Sequence, residues 1–402
     1  MYTMLDQSYT QWVAVADLNN DTYLDLTIAN NEPSSVYILE GYGNGSFRHT
    51  FTLPTGEDSN PYCIALGDLN NDHRIDIVVA NRDAKNILIF FGDKNENYSF
   101  MKSFSVNSNS DLVSIVLVDI NDDAILDILT TDYDRENNSL AIFYGYGDGN
   151  FTLPKIYPTG ISSYPKSIAT NDFNGDNKID VALSYLNYGS IGILLQLKSE
   201  PFASAVIFST GNQSFPRSVT TAHFNNDLHL DLAVANSGTD TIGIFLGHGN
   251  GYFDDQLIHS TGSNSLPSAL TIGDFNNDGH IDIVVVNTAS NNLMIFFGDG
   301  NGSFPYTTNH STGIRSEPSA IAVAYLDRDR YLDVVVANRG TNNVLVFLGQ
   351  IGGSFFQARS YAMGYNARPQ SVTIADMNND DLLDIIVANY GKDYVEILLQ
   401  TC

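Results

Sequence analysis

The apolar residues of this chain fall into short runs that return in a fixed order. Around residue 274 the order is clearest. Ser268-Ala269-Leu270-Thr271-Ile272, small and β-branched, reads as a first strand, a. Ile283-Val284-Val285-Val286 is strand b, and Leu293-Met294-Ile295-Phe296-Phe297 is strand c, with the polar turn Asn287 to Asn292 between them. Gly298-Asp299-Gly300-Asn301-Gly302 follows as a turn whose Gly and Asn accept positive φ. Ser303 to Ser311 is an outer strand d, and Thr312-Gly313 and Pro318 punctuate the return to the next strand a. The unbroken apolar runs of b and c predict strands buried on both faces.

Between a and b stands Asp274-Phe275-Asn276-Asn277-Asp278-Gly279-His280-Ile281-Asp282. This nine-residue stretch is written eight times, starting at Asp17, Asp68, Asp119, Asp172, His223, Asp274, Tyr325 and Asp376. Successive starts lie 51 residues apart, except for 53 between Asp119 and Asp172. The longer interval places two extra residues near Asp134 to Ser139. Such a period marks one supersecondary unit repeated. Four strands in a repeat of about 50 residues predict an all-β fold, a β-propeller of four-stranded antiparallel blades. Residues 1–402 then form one eight-bladed propeller, and a seven-bladed ring with one copy left over is the alternative.

The ends fit closure. Aligning Asp17 with Asp376 lays Tyr2-Thr3-Met4 over Tyr361-Ala362-Met363, so the chain begins in a d strand and ends, at Leu398-Leu399-Gln400, in a c strand. The N-terminal strand is expected to complete the last blade and leave no unpaired edge. An open solenoid would need polar capping repeats, and neither end has them. Met1 stands so close to a predicted strand that the sequence reads as a segment of a larger multidomain chain.

Oxygen-bearing side chains occupy positions 1, 3, 5 and 9 of the loop, and position 7 can offer its backbone carbonyl. Ca²⁺ takes roughly six to eight oxygens in flexible geometry, so the spacing suits it. An EF-hand would need Glu at position 12, where Val285 stands. The competing reading is a set of Asx-turns, in which Asp and Asn bond their own backbone. The net charge of −27 changes the picture in the same direction, because most of the acid sits in these loops. It also argues against nucleic-acid binding, which needs clustered Lys and Arg. No run of about 20 apolar residues is present to insert in a membrane. No secretory leader is visible at Met1. Cys63 and Cys402 could pair, but two cysteines exclude a disulfide-dense scaffold. Asn-x-Ser/Thr sequons, Asn44 and Asn212 among them, occur at the density chance would produce.

Asp-x-Asn-x-Asp-x-x-x-Asp followed by Ile-Val-Val-Ala-Asn, then Phe-Phe-Gly-Asp-Gly-Asn-Gly-Ser-Phe, resembles the FG-GAP/VCBS repeats of integrin α-subunit-like propellers. The resemblance implies about six structural Ca²⁺ ions in the loops, and ligand recognition on the opposite face or between blades. It implies as ligands Asp17, Asn19, Asp21 and Asp25 in the first loop, and Asp68, Asn70, Asp72 and Asp76 in the second. The third and fourth supply Asp119, Asn121, Asp123, Asp127 and Asp172, Asn174, Asp176, Asp180. The sixth supplies Asp274, Asn276, Asp278 and Asp282, and the eighth Asp376, Asn378, Asp380 and Asp384. The fifth loop keeps Asn225, Asp227 and Asp231, and the seventh Asp327, Asp329 and Asp333. Each has lost its first carboxylate, to His223 and Tyr325, and is a weaker site. Position 6 is Gly in the family pattern but only Gly279 matches, which argues against a positive φ at the other loops.

The b–c turns and d–a connections, expected on the face away from the metals, collect basic and aromatic residues. Arg82, Arg135, Arg217, Arg315, Arg339, Arg368, Tyr164 and Tyr365 are the candidate ligand-binding set. Tyr185 and Tyr394 are expected on the same face. No nucleophile elbow, P-loop or dinucleotide fingerprint occurs, and His223 and His229 lack a third soft ligand for zinc. The expected function is a calcium-stabilised extracellular or cell-surface adhesion module for a protein or glycan ligand, not an enzyme. A lectin, or a carbohydrate-active propeller enzyme of the polysaccharide-lyase kind, is the alternative.

Overall fold

Each apolar run becomes a strand, and each loop turns the chain straight back on itself. The computed structural model describes residues 2–3, 9–94, 98–107, 109–134, 138–197, 202–392 and 394–400. Arg135 and Cys402 lie outside the described residues. The strands form eight separate four-stranded sheets, each antiparallel and in the order a-b-c-d. The fold is an eight-bladed β-propeller, so the seven-bladed alternative falls. The sixth blade is Pro267–Gly273, Asp282–Asn287, Asn292–Phe297 and Tyr306–Ser311. In the eighth, Pro369–Ala375, Asp384–Asn389 and Tyr394–Leu398 are joined by Tyr2–Thr3 from the chain start. Tyr2 pairs with Val395 and Thr3 with Tyr394, as the alignment of the ends predicts. The two extra residues fall in the b–c turn of the third blade, between Asp127–Asp132 and Ser139–Phe143.

The chain divides into two compact units. Residues 1–158 with 363–402 hold blades 8, 1, 2 and 3, and residues 159–362 hold blades 4 to 7. All six residues of strand b are buried in every blade. Within each unit the core lies between neighbouring blades, where b and c of one pack on a, b and c of the next. Val284, Val286, Leu293 and Ile295 of blade 6 meet Val334, Val336 and Leu345 of blade 7 in this way. Each such fully buried side chain contributes roughly 1.5–3 kcal/mol. The aromatic at loop position 2 is part of this packing. Phe173, Phe224 and Phe275 meet Phe253, Phe304 and Phe355 of the following blade at 5.9, 5.7 and 6.0 Å. Anchored there, the loops stand at one edge of each blade beside the c–d turns, and the b–c turns and d–a connections stand at the other.

Candidate metal loops and the opposite turn face

The six complete loops share one hydrogen-bonded form. In the first, Asp17 accepts the Asp21 amide on Oδ1 (3.1 Å) and the Thr22 amide on Oδ2 (2.8 Å). The Asn19 oxygen accepts the Asp21 amide at 2.9 Å, and Asp21 accepts that of Tyr23 at 2.8 Å. The same bonds recur on Asp68, Asp119, Asp172, Asp274 and Asp376. These are Asx-turn bonds. Oδ2 of each position-1 carboxylate accepts one amide and keeps acceptor capacity, whereas Oδ1 of Asp68, Asp172 and Asp376 accepts two or three. Among the described residues, no three acidic, histidine or cysteine side chains converge as they would around a metal ion.

Position 9 does something the sequence did not reveal. Asp25 is buried, and its two oxygens accept the Leu18 amide (2.9 Å) and the Gly41 amide at the end of strand c (2.8 Å). Asp76, Asp127, Asp180, Asp282 and Asp384 make the same pair of bonds. So do Asp231 and Asp333, in the two incomplete loops. The residue is therefore a clamp between loop and strand c in all eight blades. Burial pushes Asp25, Asp127, Asp180 and Asp333 up to about 6, and Asp76 and Asp282 to about 7. It raises Asp231 and Asp384 too. The amide bonds pull the other way. In the complete loops the carboxylates at positions 5 and 1 add to the rise, so three acidic groups feel one another there.

The expectation about position 6 fails. Thr22, His73, Ala124, Asn177, Leu228 and Asp381 all take φ between 61° and 74° although none is Gly. A side chain at Gly279 would meet nothing within 4 Å, so the position is open and only the backbone resists. In the six complete loops the position-1 carboxylate holds the position-6 amide in this conformation, whereas Leu228 adopts it with His223 at position 1. In the seventh loop, with Tyr325 there, Arg330 is not among the residues of positive φ. Thr22 is β-branched and exposed at φ 74°, so Thr22→Gly is expected to stabilise the protein by about 1 kcal/mol. Urea unfolding in EGTA measures this, and a loss of stability would show the turn is not strained.

Position 4 has a role that its own loop does not show. Its asparagine reaches the next loop along: Asn20 Nδ2 donates to the His73 carbonyl at 3.0 Å, and Asn277 Nδ2 to that of Arg330 at 2.7 Å. The repeated Asn-Asn pair was the available signal.

On the other edge, the d–a connections repeat an unusual backbone. Asn60, Tyr164, Phe215, Leu266, Glu317 and Arg368, each just before a proline, lie at φ between 46° and 55°. Their carbonyls accept the first amide of the b–c turn, Tyr164 from Leu186 at 3.0 Å and Arg368 from Tyr390 at 3.1 Å. A Thr–Ser hydroxyl pair, such as Thr312 with Ser316 at 2.6 Å, braces five of these turns, and Met363 and Ala367 take its place before Arg368. Arg315 and Asn366, two residues earlier, are left-handed as well. Arg217, Arg315, Arg339, Arg368 and Tyr365 are exposed, Tyr365 by 90%, and Tyr164 is half-buried. Arg217 sits in the bulge that opens strand a. Arg82 is committed elsewhere: it forms a bidentate pair with Asp111 (2.5 and 3.1 Å) and lies over the Tyr62 ring. Tyr185 and Tyr394 are buried, so neither belongs to the surface set.

Two clefts open beside the metal loops. One of about 290 Å³ in the first unit is lined by Asp93, Lys102 and Asp148, with the Lys102 ammonium donating to Gly149 and Asn150. One of about 310 Å³ in the second unit is lined by Asp172, His223 and His229.

The FG-GAP-like repeat model matches residues 17–79, 68–130, 119–183, 172–234, 223–285, 274–336 and 325–387. The human T-cell immunomodulatory protein is 26% identical over 231 residues, 54% of this chain and 36% of that protein. The chain thus spans about a third of that relative's length. Among solved structures, virginiamycin B lyase from Staphylococcus aureus aligns with a TM-score of 0.57 at 14% identity, over 86% of this chain and 97% of that one. The periplasmic gluconolactonase of Pseudomonas aeruginosa aligns with 0.57 at 15% identity, over 98% and 99%. At these identities the likeness is one of fold, which enzymes also use.

Proposed function

The chain belongs to the FG-GAP-like repeat family, and from that premise we propose that it is a calcium-stabilised extracellular binding module. The ligand is a protein or glycan, held on the face of the b–c turns and d–a connections. The observation that carries this reading is the row of left-handed residues before proline. Strained backbone conformations persist only where the surrounding structure over-determines them, and they cluster at binding sites. Here six connections repeat the same strained frame while the residue it displays changes from Asn to Tyr, Phe, Leu, Glu and Arg. A constant frame with variable side chains suits recognition by rigid loops.

Ca²⁺ in the six complete loops is the structural half of the proposal. The donors are hard oxygens throughout, and the buried position-9 carboxylate feels two more carboxylates that a dication would neutralise. Among the described residues, the position-7 carbonyls of these loops, Tyr23, Arg74, Ile125, Lys178, His280 and Leu382, take no side-chain hydrogen bond and stay available. Extracellular modules bind Ca²⁺ with Kd of about 10⁻⁴ to 10⁻³ M, an affinity that works only at extracellular calcium levels. An enzyme of the lyase kind would gather Lys, Tyr and Asp in one cleft. The cleft at Lys102 has Lys and Asp but no Tyr in its lining.

Arg217, Arg315 and Arg339 are exposed and lie in one unit. Replacing all three by Ala is expected to lower capture on glycan and matrix-protein arrays by about tenfold or more, about 1.4 kcal/mol, while the melting temperature stays within a degree or so. Undiminished capture by the triple variant would remove this face from the proposal.

A further inference from the structure

The fifth loop lacks the two amide bonds that a position-1 carboxylate accepts in its neighbours, and it has one bond they lack. His223 stands where the others have Asp, and its ring Nδ1 lies 2.7 Å from the carbonyl oxygen of His229, at position 7. A carbonyl only accepts, so Nδ1 carries the hydrogen whatever the state of Nε2. The bond therefore occupies the one backbone oxygen that the six complete loops leave without a side-chain donor. The backbone path and the remaining bonds of the loop are kept. Asn226 and Leu228 keep the left-handed φ of 58° and 68°, and the His229 amide still reaches Asp227 at 2.8 Å. Asp231 still clamps Phe224 and Gly247 at 2.7 and 2.8 Å. The His229 ring rests on Gly249, where a Cβ would fall 2.1 Å from it, so the carbonyl facing His223 is held in place.

We propose that the fifth loop is a built-in metal-free copy, in which the His223 ring N–H ties position 1 to position 7 as a bound cation does elsewhere. This rests on the reading of the complete loops as Ca²⁺ sites. The ring removes a carboxylate from the donor set and blocks the carbonyl, so the loop loses two oxygens at once and gains an internal donor. The seventh loop has also lost its first carboxylate, but it has no such ring and has lost the position-6 turn.

Hydrogen–deuterium exchange on the whole chain, with Ca²⁺ and with EGTA, tests it. At millimolar Ca²⁺ and a Kd near 10⁻⁴ M, exchange in loops 68–76 and 274–282 is expected to slow by about 10-fold. Exchange in 223–231 is expected to be the same in both conditions. In His223→Asp, 223–231 should become calcium-sensitive, and calorimetric titration should count one more ion per chain. His223→Ala serves as a second variant: faster exchange at 223–231, equally with Ca²⁺ and EGTA, would support the internal tie. Calcium protection of 223–231 in the unaltered protein, with the other loops also protected, would overturn the inference alone. Calcium indifference of every loop would overturn the metal reading beneath it.

Discussion

Asp231→Ala is expected to cost about 2–6 kcal/mol of stability in the presence of EGTA. The change leaves the Phe224 and Gly247 amides buried without an acceptor, and each such loss is worth about 1–3 kcal/mol. Ordinary domains have only about 5–15 kcal/mol in all, so this single change approaches unfolding. Asp282→Ala should cost a similar amount in EGTA, since Asp282 clamps Phe275 and Gly298 in the same way at 2.8 Å. Asp→Asn at either position keeps one oxygen and should cost roughly half. The pairing is informative because Asp231 belongs to an incomplete loop and Asp282 to a complete one. If position 9 served only as a metal ligand, Asp231→Ala would be nearly silent and Asp282→Ala would matter only with calcium present. Equilibrium unfolding in urea, read by tyrosine fluorescence, separates the two cases.

Chelation is the second large effect. Each site with a Kd of about 10⁻⁴ to 10⁻³ M adds on the order of 0.4 to 1.4 kcal/mol at millimolar Ca²⁺, so six add several. A melt in EGTA followed by calcium titration should show a marked drop in melting temperature and its recovery. Mg²⁺ should restore it poorly, because it demands tighter octahedral geometry. The loss should fall unevenly. The unit of residues 1–158 and 363–402 holds the complete loops at Asp17, Asp68, Asp119 and Asp376, and residues 159–362 hold those at Asp172 and Asp274. The first unit should therefore loosen more. The metal-free protein should also respond to pH in a definite sense. Burial raises six of the position-9 carboxyls to about 6 or 7, above the ordinary 3.8, and raises Asp231 and Asp384 too, so the folded state holds their protons more tightly. That contribution is complete below about pH 4 and is lost as pH rises through 6 to 7. The melting temperature in EGTA should fall between pH 5 and pH 8, and saturating Ca²⁺, which favours the charged form, should flatten the slope. A melting temperature indifferent to calcium would leave the loops held by their Asx-turn bonds alone.

Period and pattern along the chain determine the architecture. The 51-residue spacing, the unbroken apolar runs at Ile283 to Val286 and Leu293 to Phe297, and the glycine turn at Gly298 to Gly302 depend on near neighbours in the chain. Local patterning of this kind is visible in a linear string, and so is the strand at Tyr2 and Thr3 that completes the eighth blade. The loop residues were legible as an oxygen-rich set for the same reason, since their backbone partners lie two to five positions away. What needed the tertiary structure was every role set by a distant partner. Asp25 is a clamp because the Gly41 amide, 16 residues on, closes over it at 2.8 Å. Arg82 is not a free surface cation because Asp111, 29 residues away, takes both edges of its guanidinium. Tyr185 looks like a surface aromatic in the string but is buried. Thr22 and Leu228 adopt a backbone that their own side chains disfavour. Local preference predicts the opposite, and at Thr22 the bond from its amide to the Asp17 carboxylate outweighs it. His223 reads as a defect in the repeat until its ring is seen on the His229 carbonyl, a contact that only the folded loop creates.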